Sequence, residues 1–275
     1  MYMKLKDGKS KVLTLSYDDG SVQDIRLIEI LDKYKIKGTF NINTGGYAPE
    51  DKVRKIFSGR MKMSEAVSLY KNSCHEVAVH ALTHPFLDRL KMDEIITEVM
   101  EDRRNIEKQY GTIARGMAYP YGAYNDDVLD ALEKCGICYS RTTKSTENFG
   151  FPENWLELHP TCHHNNPKLM EMAKKFAEEK DKYIARNWMF YLWGHSYEFD
   201  NDNNWEVIEK FCEYIGNRDD IWYATNIEIY NYIKAYERLE TSVDKKIVHN
   251  PSMLDIWFYQ NGKTHCVKGG QTLYL

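Results

Sequence analysis

The chain lacks several features that would have settled its class at once. No apolar run is long enough to span a bilayer, and the first twelve residues, MYMKLKDGKSKV, have no apolar core of the signal-peptide kind. A soluble, cytoplasmic protein without a membrane partner is therefore expected. There is no basic excess either: 37 Lys and Arg stand against 41 Asp and Glu, a net charge of -4. A nucleic-acid-binding surface needs the opposite balance, so no nucleic-acid partner is expected. Six cysteines at positions 74, 135, 138, 162, 212 and 266 form no small secreted framework. Reduced thiols are expected, including Cys135 and Cys138 despite their redox-like spacing. A Gly-rich phosphate fingerprint, an internal repeat and a low-complexity linker are all missing, which removes the usual support for an open nucleotide-binding sheet.

What is present is a steady alternation of strand-like and helix-like segments. The apolar run Val12–Tyr17 precedes a helical pattern over Asp24–Tyr34, in which Ile25, Ile28 and Leu31 recur near the 3.6 period. Strands are predicted at Thr39–Asn43, Glu76–Val79, Met117–Tyr119, Tyr139–Thr142, Met189–Trp193 and Ile221–Ala224. The helices between them cover Met63–Lys71, Met92–Tyr110, Asp126–Lys134, Pro167 to about Tyr183, Asn204–Gly216 and Glu228–Leu239. Strand–helix alternation implies right-handed crossovers and a parallel sheet. About seven such units in one domain predict an α/β fold, a distorted (β/α) barrel over residues 1–240. The tail differs: Asn261-Gly262 between two β-like runs signals a hairpin, so residues 241–275 are expected to form a β-extension packed on the barrel.

In a parallel barrel the C-terminal strand ends open on one face, where reactive side chains collect. Three polar clusters fall at such ends: Asp18-Asp19-Gly20, the stretch from His80 to Pro85 (HALTHP), and Gly194-His195-Ser196. An acid and two histidines make a ligand set of the catalytic-zinc type, with a position left for water. Neighbouring residues of an extended strand point to opposite sides, so Asp18 and Asp19 can have different tasks. A cation bound by one would offset their repulsion. The stretch from His159 to His164 (HPTCHH) holds further ligand-capable side chains, for which cleft lining or an interface is favoured over a second metal. Asn43, Thr44 and the two glycines after them read as a barrel-mouth loop.

SYDDG, HALTHP, AYPYG and the strand-end WGH, in that order, resemble the motifs of the polysaccharide deacetylase family, the carbohydrate esterases with a NodB-like domain. The resemblance spans roughly residues 10–235. It implies a divalent metal, zinc foremost with cobalt, nickel, iron or manganese as substitutes, and an acetylated sugar or oligosaccharide as substrate. Carried over position by position, Asp18 matches the general base, Asp19, His80 and His84 the metal ligands, and His195 the general acid. Tyr121, following Pro120, matches the residue whose backbone N–H helps hold the oxyanion. Trp155 is a candidate sugar platform.

The chain also departs from the family pattern. Ala81 stands where Ser or Thr is usual, with Thr83 as a substitute hydrogen-bonding group. Ala118 occupies the place of the arginine that orients the base, and Arg115 is out of register. Asn154-Trp155 only loosely echoes the fourth motif, and Tyr191 and Trp193 replace leucines of the fifth. These changes bear on substrate more than on metal. Two alternatives follow: hydrolysis of a non-acetyl C–N bond such as a cyclic ureide, or a non-catalytic carbohydrate-binding relative.

Overall fold

A computed structural model describes residues 1–51, 59–179 and 186–275. Numbering the strands of the main sheet in chain order, β1 is Lys11–Asp18, β2 Gly38–Ile42, β3 Glu76–Val79, β4 Gly116–Ala118, β5 Tyr139–Arg141, β6 Cys162–His163, β7 Trp188–Gly194 and β8 Ile221–Tyr223. Their order is β5-β4-β3-β2-β1-β7-β6, every neighbouring pair being parallel. β8 adds to β1 over Lys11–Leu13, below the stretch Leu15–Asp18 that pairs with β2. Leu158 bridges to Arg141 on one edge while Cys162 pairs with Leu192 on the other, so the segment between β5 and β6 leads from one end of the sheet to the other. The curled parallel sheet is the expected distorted barrel.

β1 is buried throughout, with an apolar and a polar set of side chains. Side chains alternate along a strand. Leu13, Leu15 and Tyr17 join the apolar layer shared with the helices. Thr14, Ser16 and Asp18 are also buried, and each finds a polar partner: Thr14 donates to Asn226 Oδ1 at 2.8 Å, and Asn41 donates to both Ser16 and Asp18. Buried polar groups need such partners. Asp18 ends this polar set at the strand's C-terminal end.

The helices follow the capping and period signals closely. Asn125 caps Asp126–Lys134, its side chain accepting the Val128 N–H at 3.0 Å, as the sequence predicts. Met92–Tyr110 ends at Gly111, whose φ of 70° supplies the left-handed cap. The helix expected from Pro167 runs over Leu169–Glu178, and its predicted end at about Tyr183 lies outside the described residues. A short helix over Tyr197–Asn201, directly after the WGH motif, was not foreseen.

Two small antiparallel sheets complete the chain. Ile256–Gln260 and Lys263–Val267 form the expected hairpin around Asn261-Gly262, and Tyr2–Lys4 pairs with the first of these strands, which becomes the middle of three. Glu240–Thr241, Ile247–His249 and Thr272–Tyr274 form the second sheet. All six cysteines are free thiols. No helix among the described residues is long and apolar enough to cross a membrane.

Candidate active site

Four strand ends converge on one cluster. Asp18 ends β1 and Asp19 follows it, His80 and His84 follow β3, Pro120 and Tyr121 follow β4, and His195 follows β7. The chain turns sharply at each. Asp19, Ala81, His84 and Tyr121 all have positive φ, between 58° and 82°. Such angles are rare outside glycine and gather at functional sites, where the surroundings hold them.

The structure brings five of the sequence-predicted residues together. Asp19 Oδ1 lies 3.9 Å from His80 Nε2 and 3.8 Å from His84 Nε2. Asp18 Oδ2 lies 4.0 Å from His80 Nε2 and 3.9 Å from His195 Nε2. Asp18 is buried, whereas Asp19 is partly open. The tautomer of His80 is fixed: Nδ1 donates to the Ala118 carbonyl at 2.9 Å, leaving the Nε2 lone pair directed inward. That Nε2 is buried and has no hydrogen-bond partner. Asp19, His80 and His84 could therefore hold a metal, because an orphaned imidazole lone pair beside a carboxylate and a second imidazole is the donor set such an ion takes.

Burial and charge set the protonation states. Burial pushes the Asp18 carboxyl up, but Arg141, His80 and His195 outweigh it and bring it to about 2. Burial brings His80 down to about 4, so its ring is neutral, as a ligand must be. His195 moves the other way. Burial lowers it, yet the anions Glu198, Asp18 and Asp19 raise it above the ordinary value.

The groups that hold this cluster were the ones missed in the sequence. Arg141 ends β5 fully buried, donates to Asp18 Oδ2 and lies 4.3 Å over the Trp193 ring. The register Ala118↔Arg141 puts this arginine on the strand next to the alanine. Arg115 instead faces Tyr230. Arg60 grips Asp19 through its backbone carbonyl and its Oδ1, the latter at 2.9 Å, and ties it to Asn43. Asp102 accepts from the backbone N–H of His80 at 3.0 Å and of Thr44 at 2.7 Å, joining the metal-capable loop to the Asn43–Thr44 loop. Thr83 bonds to Glu98.

Around the mouth, Tyr121 is exposed, stacks on Phe86 at 3.9 Å and meets His84 edge-on at 4.5 Å. Pro120 is buried beneath it. Trp155 is placed elsewhere, edge-on to Tyr230 at 5.2 Å, in a cleft shared with Arg115 and Cys138. Gly194 is needed for closeness: a Cβ there would sit 2.1 Å from His164 Nδ1. Gly194→Ala is expected to cost about 1–3 kcal/mol of stability through overpacking, read as a lower urea midpoint with an unchanged slope.

Residues 5–140 match the model of the polysaccharide deacetylase family. Over these residues the chain is similar to that family. Among curated deacetylases, the chain is 29% identical over 131 residues to the peptidoglycan-N-acetylmuramic acid deacetylase of Bacillus subtilis, covering 46% of this chain and 25% of that one. It is 30% identical over 115 residues to a poly-beta-1,6-N-acetyl-D-glucosamine N-deacetylase of Staphylococcus aureus, covering 40% of each chain. The matched segment thus spans well under half of either relative. A Mycobacterium smegmatis structure described as a putative polysaccharide deacetylase shares the fold, with a TM-score of 0.61 at 16% identity over 86% of this chain and 95% of that one. The deacetylase-type fold therefore reaches past the matched half.

Proposed function

We propose that this protein is a metal-dependent hydrolase that removes acetyl groups from a carbohydrate, an N-acetylated amino sugar or an acetylated oligosaccharide. One observation carries the reading: the ionised Asp18 and the charge-stabilised His195 face each other at 3.9 Å beside the Asp19, His80 and His84 group. A base and an acid with environments pushed apart are what acyl transfer to water requires.

Asp19, His80 and His84 would hold a divalent cation, zinc by ligand type, which would supply Lewis acidity to the reaction. Asp18, kept charged by Arg141, takes the proton of the attacking water. The Tyr121 backbone N–H meets the negative charge developing on the carbonyl oxygen. His195 Nε2 delivers a proton to the departing nitrogen or oxygen. Tyr121 and Phe86 offer an aromatic wall at the mouth for a sugar ring.

The test is acetate release from acetylated amino-sugar oligomers and from ester-acetylated oligosaccharides. Release is expected from at least one of them, to disappear with a chelator and to return with added Zn2+ or Co2+. Chelator-insensitive release would overturn the metal's part in the reading. No release from any acetylated sugar by metal-loaded protein would overturn the activity itself.

A further inference from the structure

Residues 159–164 are absorbed by none of the roles above, yet His163 and His164 gather with a carboxylate into a second group of ligand-capable side chains. Cys162 and His163 pair with β7, and the His164 N–H donates to the Trp193 carbonyl at 2.9 Å. That pairing delivers His163 and His164 to Glu198, on the short helix after the WGH motif. Glu198 Oε2 lies 3.1 Å from His163 Nε2, 3.2 Å from His164 Nε2 and 3.4 Å from His195 Nδ1. The same oxygen accepts the His195 backbone N–H at 3.1 Å, which fixes the carboxylate.

His164 decides what this cluster is for. The residue is 1% exposed, its ring is stacked between Tyr17 and Phe199, and neither ring nitrogen has a hydrogen-bond partner. His195 Nδ1 is likewise buried and unpartnered, close as it is to Glu198. These nitrogens approach the carboxylate without aiming at it. Donors gathered round a common point do the same: two ligands each about 2.0–2.1 Å from a tetrahedral ion stand about 3.3–3.4 Å apart. The ligand atoms of His163, His164 and Glu198 all lie within 4.8 Å of one another.

We propose that His163, His164 and Glu198 form a second divalent-cation site, separate from the Asp19, His80 and His84 group. Two imidazoles and one carboxylate suit borderline ions such as Zn2+, Co2+ and Ni2+. The two sites share no ligand, and His195 stands between them, its Nε2 toward Asp18 and its Nδ1 toward Glu198. Occupancy asks one change of His163. Its Nδ1 now accepts the Asn165 N–H at 3.2 Å, so the ring proton moves from Nε2 to Nδ1 and that exposed hydrogen bond passes to water. The proposal does not depend on the reaction proposed above.

Equilibrium dialysis against Zn2+ with metal analysis, and Co2+ titration by absorption, test it directly. Wild type is expected to bind two ions per chain, Asp19→Ala/His80→Ala one, and His163→Ala/Glu198→Gln one. The fourfold variant, checked for folding by circular dichroism, should bind none. The milder His163→Gln, at a partly exposed position, should weaken the second Co2+ at least tenfold while the first is unchanged. If Asp19→Ala/His80→Ala binds no ion, or binds one that survives loss of His163 and Glu198, the second site falls. A wild type with a single ion that is lost with Asp19 and His80 would sink it too, while leaving the first site intact.

Discussion

Replacing Asp18 with asparagine is expected to lower acetate release by about 10²–10⁴-fold, the usual worth of a positioned base. The substitution keeps the shape and the Asn41 contact, so cation binding by Asp19, His80 and His84 should persist. Steady-state acetate assays beside metal analysis separate the two effects. A variant that loses its ion along with its turnover would show that Asp18 serves as a ligand. One that turns over within tenfold of wild type would remove it from the reaction.

The other large effect belongs to Arg141. Its guanidinium and the Asp18 carboxylate are both buried, and removing one member of such a pair leaves an uncompensated charge costing about 3–5 kcal/mol. Arg141→Met should therefore lower the urea midpoint strongly. The pH dependence gives the sign. The Asp18 carboxyl is held at about 2, below the ordinary 3.8, so the pair's contribution is present above about 3.8 and lost as pH falls through 2. Without Arg141, burial raises the Asp18 carboxyl, and the variant's deficit should be largest at neutral pH and shrink toward pH 4. Asp18→Asn/Arg141→Met should be more stable than the sum of the single changes predicts, because the pair is coupled. Strict additivity would mean that the two groups do not interact.

The fold was legible because its signals are local. The β-leaning apolar run of β1, the Asn125 cap and the Gly111 stop each lie within a few residues of the element they define. The reactive cluster was legible for a related reason: strand ends in a parallel barrel share a face, so DDG, HALTHP and WGH had to meet. The supports were hidden because they depend on register between strands far apart in sequence. Arg141 reaches Asp18 from β5, in register with Ala118 on the neighbouring strand. The sole local hint was a cation at the end of a predicted strand. Arg60 and Asp102 carry no motif, and their roles appear only once the loops they clamp are seen together. Glu198 was overlooked because Tyr197–Asn201 is too short to leave a period.

The pairing of Tyr2–Lys4 with Trp257–Tyr259 has a consequence for how the molecule is made. A ribosome adding about 5–20 residues per second needs on the order of tens of seconds to go from residues 2–4 to their partner strand. The barrel strands can assemble in that interval, while residues 2–4 wait as an unpaired ribbon. Chains cut short before residue 257 would carry that ribbon permanently, exposing a strand edge open to pairing with other chains.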